Sequence, residues 1–382
     1  MNRGQRKVIN VVIATSIFWI LITRVFYSRS LHDRASISRC VPSVFSSRTD
    51  SDISGSSGTL ADYRFPEFAN DRELHKHAFR KVLDGPGPGS PRIAFLFTVK
   101  GPIELEPVWR KFLQGHEELW SLYVHASNPV DYKFPPGSIF EGREIPSKPV
   151  ARISISLVDA IRRLLAYALA DPHYNNAWFV NVCESTVPVR GFPAVYEYLI
   201  GSKHSFVEAF LPEEKYQQWD TMPEFPVVQL RKGETWMQMT RKHAIIIVTD
   251  TERYAKFAAS CSLWCAPDEE YFQTLLHLED VSGIANRTTM YANWEETRPI
   301  PGSPRSYGSS QDLFALFDKI RKMTQETDGL KQESALDKSP SSLRPICKYN
   351  GITNATCFLF ARKFEAEATS AILHVMSTLP GF

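Results

Sequence analysis

Three short, continuously apolar segments, separated by helix-like segments, limit most strongly what this chain can fold into. The apolar segments are residues 93–99, 119–125 and 178–183, and amphipathic patterns at 106–114 and 154–169 lie between them. A strand is apolar throughout when both faces of its sheet are covered, which is typical of parallel strands. The alternation therefore predicts an α/β fold, in which a sheet is flanked by helices.

The residues that follow these strands predict where a ligand binds. In α/β sheets, ligands bind beyond the carboxyl ends of the strands. Residues 98–101, 125–128 and 184–186 stand at those ends and should surround one crevice. The remaining pattern predicts helices at 71–83, 192–200, 241–259, 268–278 and 311–323, and strands at 205–209 and 235–240.

The composition fits a large globular domain and argues against a nucleic-acid partner. Hydrophobic residues make up 43% and charged residues 23% of the 382 residues, which is close to the globular average. Lys and Arg number 44 against 42 Asp and Glu, for a net charge of +2. Nucleic-acid binders usually have a larger or more clustered basic excess. We therefore expect no nucleic acid among the partners.

The N-terminus has the pattern of a membrane anchor. Arg3, Arg6 and Lys7 precede an apolar run at residues 8–27. About 20 helical residues at 1.5 Å each span the roughly 30 Å hydrocarbon core of a bilayer, and leading positive charges keep a terminus in the cytoplasm. A cleaved signal peptide is the alternative, but no small-residue cleavage site follows the run.

The anchor sets the predicted organisation of the chain. Residues 1–7 form a cytoplasmic tail, 8–27 a single transmembrane helix, 28–90 a Ser-rich stalk, and 91–382 a lumenal domain. The predicted topology is therefore single-pass type II. Cys40 in the stalk offers an intermolecular disulfide, and so a homodimer.

A lumenal domain gives meaning to two further patterns. Asn286 and Asn354 each begin an Asn-x-Thr acceptor for N-glycosylation. Cysteines that are close in sequence are disulfide candidates in such a compartment: Cys261 with Cys265, and Cys347 with Cys357. Zinc binding is the alternative, but no histidine stands beside either pair at ligand spacing.

Several segments together resemble the plant branch of the core-2/I-branching β-1,6-N-acetylglucosaminyltransferase family. They are residues 93–97, 123–127, 143–148, 156–165, 198–207, 231–233, 268–271 and 357–364. The resemblance implies a Golgi enzyme with a GT-A-like nucleotide-sugar-binding fold. It further implies inverting transfer from a UDP-sugar, carrying GlcNAc or another hexose, to a glycan or glycoprotein acceptor, with neither a metal nor another cofactor.

Such a transfer needs a base for the acceptor hydroxyl and positive charge for the departing diphosphate. By the resemblance, Glu269 is the base, Lys363 binds the diphosphate, and Arg344 is a second phosphate contact. Glu270 is the alternative base. The segment is also a good helix start with Asp268 as N-cap, where a glutamate should stay ionised. The predicted domain contains no Asp-x-Asp metal motif, and residues 124–127 stand in its place.

Other residues have weaker predicted roles. Five residues at the ends of the first two strands are predicted to contact the donor nucleotide: Val99, Lys100, Gly101, Ser127 and Asn128. Glu184 is a candidate for orienting the donor sugar, or a turn residue. The resemblance places Trp294 near the acceptor, where it either stacks on sugar or packs in the core.

The pattern of the 154–169 helix predicts a surface ion-pair set made of Asp159, Arg162 and Arg163. Two features depart from the family. Ile161 stands where a charge is usual, and the 211–219 loop is shorter and more acidic than expected.

These departures leave open a non-catalytic carbohydrate-binding or scaffold protein. A glycoside hydrolase would need two opposed carboxylates, for which Glu184 and Glu269 are the available pair.

Overall fold

A computed structural model of the protein describes residues 65–128, 133–211, 229–260, 266–294, 303–323, 347–353 and 355–382. The helices are α1 (Asp71–Leu83), α2 (Glu106–Leu113), α3 (Ile155–Ala170), α4 (Phe192–Ile200), α5 (Arg241–Thr249), α6 (Glu252–Ser260), α7 (Pro267–Asp280), α8 (Leu313–Lys322) and α9 (Thr369–Thr378). The strands are β1 (Arg92–Val99), β2 (Trp120–Ala126), β3 (Asn176–Val182), β4 (Val187–Pro188), β5 (Gln238–Thr240), β6 (Met290–Ala292) and β7 (Phe360–Arg362). The α/β fold class is confirmed.

The three predicted apolar strands form the central sheet. Its strand order is β2-β1-β3-β5. The pairs β1–β2 and β1–β3 are parallel, whereas β5 runs antiparallel to β3. In the register, Val99 lies beside Ala126, and Phe97 beside Val182. The carboxyl ends of the three parallel strands therefore share one edge.

A second, smaller sheet contributes two more strand ends. Its order is β4-β7-β6, with β6 and β7 parallel. Ala292 pairs with Arg362 at the last residue of each strand. Trp294 and Lys363, which follow these ends, therefore leave the second sheet at the same edge.

Both faces of the central sheet are covered, which explains its continuous apolar strands. Phe95 and Phe97 lie on one face with Trp109 of α2 in one buried cluster. Ala94 and Leu96 belong to the other cluster, which contains the buried face of α3. Since successive side chains of a strand point to opposite faces, a covered sheet leaves no position for a polar alternation.

The folded domain begins earlier than the predicted boundary at residue 91. Helix α1, placed by sequence in the stalk, buries Leu74 and Ala78. Asp71 at its start accepts hydrogen bonds from Arg163 of α3, at 2.8 Å from Nε and 2.7 Å from Nη2. The stalk prediction is wrong for this helix. Its many charged residues suggest an exposed segment, but one face of the helix packs against α3.

The 241–259 segment forms two helices instead of one. Asp250 stands between them, and its carboxylate accepts the backbone N–H groups of Arg253 and Tyr254, at 3.2 and 2.9 Å. An aspartate that caps a new helix start ends the helix before it. The predicted strand at 205–209 is reduced to isolated bridges at Ser205 and Phe206.

The predicted surface ion-pair set on α3 is wrong. Arg162 and Arg163 are 2% and 5% exposed. Arg162 donates to the carbonyl oxygens of Ile247 and Asp250, at 2.7 and 2.6 Å, where α5 ends. Unpaired carbonyls at a helix C-terminus attract a cation, so Arg162 is held inside the protein. Ile161 is fully buried beside it, which accounts for an apolar residue there.

Within the described ranges, no helix is both long and apolar enough to cross a membrane. The predicted transmembrane helix at 8–27 lies outside these ranges, as do Cys40, Cys261, Cys265, Arg344, Asn354 and most of the 211–219 loop.

Candidate active site

A cavity of about 590 Å³ lies at the carboxyl ends of the parallel strands of both sheets. Lys100, Ser127 and Glu184 reach it from the ends of β1, β2 and β3. Trp294 and Lys363 reach it from the ends of β6 and β7. Glu269, in the first turn of α7, also lines it. Six residues predicted from distant parts of the sequence therefore face one space.

Three predicted nucleotide contacts do not line this cavity. The side chain of Val99 is 1% exposed and packs in the core, because it points to a covered face of β1. The side chain of Val99 is therefore not exposed to this cavity, and a nucleotide contact of Val99 stays a prediction. Gly101 and Asn128 follow the strand ends but stand outside the cavity lining.

Glu269 is a carboxylic acid whose proton affinity is raised by its surroundings. It occupies the third position of α7, after Pro267, and its side chain is 33% exposed. Burial, reinforced by the neighbouring charge of Asp268, raises its pKa from 4.5 to about 7. Lys232, with Nζ 3.6 Å from Oε2, opposes the shift. A group with this pKa can accept a proton near neutral pH and hold it.

The sequence expectation that Glu269 stays ionised at a helix start is incomplete. The helix dipole at this position favours the ionised form of Glu269. Desolvation and the negative charge of Asp268 outweigh the dipole and raise the pKa. Asp268 is not the N-cap, which is Ala266. Its carboxylate instead accepts a hydrogen bond from the hydroxyl of Thr235, at 2.6 Å.

Positive charge also collects on the lining of this cavity. Lys100, Arg152, Arg362 and Lys363 all line the cavity. Lys363 Nζ donates to Ser303 Oγ at 2.8 Å. Its pKa is lowered, first by burial and then by Arg362, Arg152 and Lys100. Cations that repel one another in this way are suited to an anionic ligand, which would relieve the repulsion.

Sequence reasoning missed Glu234 and Arg362 as site residues, although both line the cavity. Glu234 is 9% exposed, lines the cavity, and accepts a hydrogen bond from the indole Nε1 of Trp294 at 3.1 Å. Burial raises its pKa, and Arg362 lowers it. The indole of Trp294 is thus anchored at its nitrogen while the residue lines the cavity, and its stacking on a sugar stays a prediction. The only sequence signal for Glu234 was its place just after Gly233.

His125 stands where a metal-binding aspartate was sought, and it is fully buried. Its Nε2 lies 3.2 Å from Arg163 Nη1 and 3.3 Å from the backbone nitrogen of Lys148. Since both groups can only donate, Nε2 accepts and the ring is neutral. Burial and Arg163 lower the pKa of His125 to about 3. His125 is thus a buried hydrogen-bond acceptor that holds Arg163 and the backbone at Lys148.

Among the described residues, no group of three or more His, Cys, Asp or Glu side chains is arranged to hold a metal ion. Metal independence stays a prediction.

A Ser–His–Asp arrangement occurs away from the cavity. Ser205 Oγ lies 2.6 Å from His243 Nδ1, and His243 Nε2 lies 3.1 Å from Asp280 Oδ2. Ser205 is fully buried, and its Oγ also accepts the backbone N–H of Thr240 at 2.9 Å. A nucleophilic serine must reach its substrate. This arrangement therefore ties α5 to its neighbours and is not a second active site.

The structure joins Cys347 and Cys357 in a disulfide, while Cys183 is buried without one. Asn286 is exposed, and its Oδ1 accepts the backbone N–H of Ala209 at 2.8 Å. Glycosylation at Asn286 stays a prediction.

Comparison with known proteins identifies the family of the chain. The family described as Core-2/I-Branching enzyme matches residues 93–317. The chain is also similar to Glycosyltransferase BC10 of Oryza sativa subsp. japonica, with 32% identity over 320 residues, covering 75% of this chain and 77% of that protein. The matched region carries the central sheet, Glu269 and Trp294. On these two matches, the chain belongs to the Core-2/I-branching enzyme family of glycosyltransferases.

Proposed function

We propose that the protein transfers a sugar from a UDP-sugar to a hydroxyl group of a glycan or glycoprotein, with inversion at the anomeric carbon and without a metal ion. The observation that carries the proposal is one cavity lined both by a high-pKa carboxylate and by a group of cations. These are the two functions that the displacement of a nucleoside diphosphate requires.

Glu269 acts as the base in this proposal. The acceptor oxygen attacks the anomeric carbon and forms the new glycosidic bond, while the bond from that carbon to the diphosphate oxygen breaks. The hydroxyl proton moves to the Glu269 carboxylate, and the electron pair of the broken bond leaves with UDP. A pKa of about 7 makes Glu269 a stronger base than an ordinary carboxylate.

Lys363 stabilises the charge that develops on the departing diphosphate. Its ammonium group is already partly desolvated and lies beside Arg362. A fixed cation in such a place acts without solvent reorganisation during the reaction. Trp294 offers a ring face for a sugar, and Glu184, which also lines the cavity, offers a carboxylate for sugar hydroxyls.

We further propose that the enzyme is a single-pass type II protein of the Golgi membrane, with its catalytic domain in the lumen. The support is the sequence pattern of residues 1–27 and the similarity to the rice glycosyltransferase. GlcNAc or another hexose is the proposed donor sugar, and the GT-A-like class is the proposed form of the fold.

The test is calorimetric titration of UDP into the full chain, first in EDTA and then with manganese, beside a transfer assay with a panel of UDP-sugars. We expect UDP binding in EDTA, and a weaker affinity in Lys363→Ala. Glu269→Gln should bind UDP as the wild type does, with kcat lower by about 10²–10⁴-fold, the usual contribution of a general base.

Each other outcome has a definite meaning. Binding only with manganese contradicts the metal-free donor site. Full transfer by Glu269→Gln contradicts the assignment of the base. Folded protein that binds no UDP in either buffer supports the scaffold alternative. UDP-independent cleavage of a glycoside supports the hydrolase alternative, for which Glu184 and Glu269 do share the cavity.

A further inference from the structure

Three consecutive residues of the cavity wall, Glu234, Thr235 and Trp236, each contact a different part of the proposed site. Glu234 Oε1 accepts the indole N–H of Trp294, with a distance of 3.1 Å. The indole is the apolar platform proposed for sugar, and this bond fixes the rotation of its ring. Because Glu234 is 9% exposed, water competes little for the bond.

Thr235 fastens the turn that carries the proposed base. Its hydroxyl donates to Asp268 Oδ2 at 2.6 Å, and Asp268 immediately precedes Glu269. The same turn is held from two other sides: Gly233 N–H donates to the Glu269 carbonyl at 2.9 Å, and Gln273 Nε2 donates to the Glu234 carbonyl at 3.1 Å. The position of Glu269 therefore depends on this segment.

Trp236 holds a cation of the diphosphate side. The guanidinium carbon of Arg362 lies 4.5 Å from the centre of the Trp236 ring. Arg362 is 9% exposed and lines the cavity, and its buried Nε has no hydrogen-bond partner among the described residues. A buried guanidinium held on a ring and only partly bonded is suited to bind an anion.

We propose that residues 234–236 are a positioning segment that fixes three parts of the site relative to one another: the acceptor platform, the base and the diphosphate-binding cation. Glu234 orients Trp294 for the acceptor sugar, Thr235 orients the turn with Glu269, and Trp236 holds Arg362 against the diphosphate. This inference rests on the proposed function and adds Arg362 to it as a second diphosphate ligand. Because three consecutive residues carry all three contacts, the three parts keep a fixed spacing.

The test uses the full chain with one substitution at a time, and each substitution moves a different quantity. Trp236→Leu should raise the Kd of UDP about tenfold, as expected for loss of a desolvated cation–π contact, while Trp236→Phe keeps a ring and most of the affinity. Thr235→Val should lower kcat about tenfold or more, while the KM for the UDP-sugar stays within about twofold. Thr235→Ser should restore kcat, because its hydroxyl can again donate a hydrogen bond to Asp268.

Glu234→Met should raise the acceptor KM about tenfold, whereas Glu234→Gln keeps an acceptor oxygen for the indole and stays near wild type. A second readout does not depend on activity. In NMR spectra of protein with ¹⁵N-labelled tryptophan, the indole N–H resonance that Trp294→Phe removes should shift in Glu234→Met and not in Glu234→Gln.

Met237→Leu is the matched control, because the next residue along is 1% exposed and does not line the cavity. It should change none of these quantities. The proposal is overturned if Trp236→Leu, Thr235→Val and Glu234→Met each change the Kd of UDP, kcat and the acceptor KM together. It is also overturned if Thr235→Ser fails to restore kcat, or if the indole resonance does not shift in Glu234→Met. If wild-type protein binds no UDP and transfers no sugar, the proposed function fails, and the indole resonance alone decides the Glu234 contact.

Discussion

The behaviour of Glu269 depends on the side chains around it more than on its place in a helix. A first-turn glutamate is normally favoured in its ionised form by the helix dipole. Here burial, with Asp268 and then Glu234 adding negative charge, raises the pKa to about 7, although Lys232 opposes the shift. Glu270, one residue further, is 3% exposed and its pKa is raised to about 8, mainly by burial.

The first prediction from this pKa concerns the pH dependence of transfer. Glu269 must be ionised to accept a proton, so kcat/KM should fall about tenfold per pH unit below pH 7. Initial rates at low donor concentration, from pH 5 to pH 9, measure the profile. Glu270→Gln should keep the profile, since Glu270 does not line the cavity. If Glu270→Gln removes the low-pH limb instead, Glu270 is the base.

The second prediction concerns stability. Between pH 4.5 and about 7, folded protein holds the Glu269 proton while unfolded protein has released it. The free energy of unfolding therefore decreases as pH rises through this window. Glu269→Gln should unfold at a higher temperature than wild type at pH 8 and at nearly the same temperature at pH 5, as measured by circular dichroism.

Glu104→Gln is the control for that comparison, because Glu104 is exposed on the surface. It should match wild type at both pH values. An unchanged or lower melting temperature for Glu269→Gln at pH 8 would show that the ionised carboxylate does not strain the fold.

At the scale of elements, buried charges join helices that the sequence left apart. Arg163 of α3 binds Asp71 of α1 and His125 of β2, so three elements meet at one guanidinium. Arg162 of the same helix binds the carbonyls at the end of α5. A helical pattern with two adjacent arginines normally indicates a solvated face, and nothing local reveals carbonyl and carboxylate partners far along the chain.

The third prediction tests this joint. Asp71→Ala leaves Arg163, whose side chain is 6% exposed, without its carboxylate partner. The expected loss in the free energy of unfolding is about 2–3 kcal/mol, between the values for exposed and fully buried pairs. Urea unfolding at pH 7 measures it. Since the pKa of Asp71 is lowered to about 2, its contribution is complete above pH 3.8 and is lost as pH falls toward 2.

Glu73→Ala is the matched control within the same first turn of α1. Its side chain is 46% exposed and pairs with Lys76 three residues on. Because solvent screens such an exposed pair, its loss should lower the free energy of unfolding far less than the loss of Asp71. Equal losses for the two variants would contradict the assignment of α1 to the folded domain.

At the scale of the whole molecule, two sheets bring their strand ends to one cavity. The central sheet supplies Lys100, Ser127 and Glu184, and the small sheet supplies Trp294 and Lys363. The folded unit that contains both sheets extends from Gly58 to Phe382. A minimal catalytic domain must therefore keep α1, since its buried face completes one side of the core.

The fourth prediction follows from that boundary. A chain that begins at residue 91 loses α1, exposes part of α3 and leaves Arg163 without Asp71. It should unfold at a lower temperature, and bind the dye ANS more strongly, than a chain that begins at Gly58. Thermal unfolding of both, made in the same way, measures the difference. Equal stability would restore the predicted stalk boundary at residue 90.

The sequence by itself determined the fold class, the three parallel strands and the crevice at their ends. Those features depend on patterns within a few residues: continuous apolar runs, helical spacing and the polar residues that follow a strand. Family motifs added Glu269 and Lys363 as candidates. A local pattern also placed α1 correctly but not its partner, because packing depends on a face formed by another part of the chain.

Only the tertiary structure decided which side chains meet. The bond from Trp294 to Glu234, the Arg362 guanidinium on Trp236 and the burial of Arg162 each join residues from different parts of the chain. The raised pKa of Glu269 has the same origin, since desolvation is set by everything packed around a group and not by its neighbours in sequence. Charge, burial and contact at this site are therefore properties of the assembled fold.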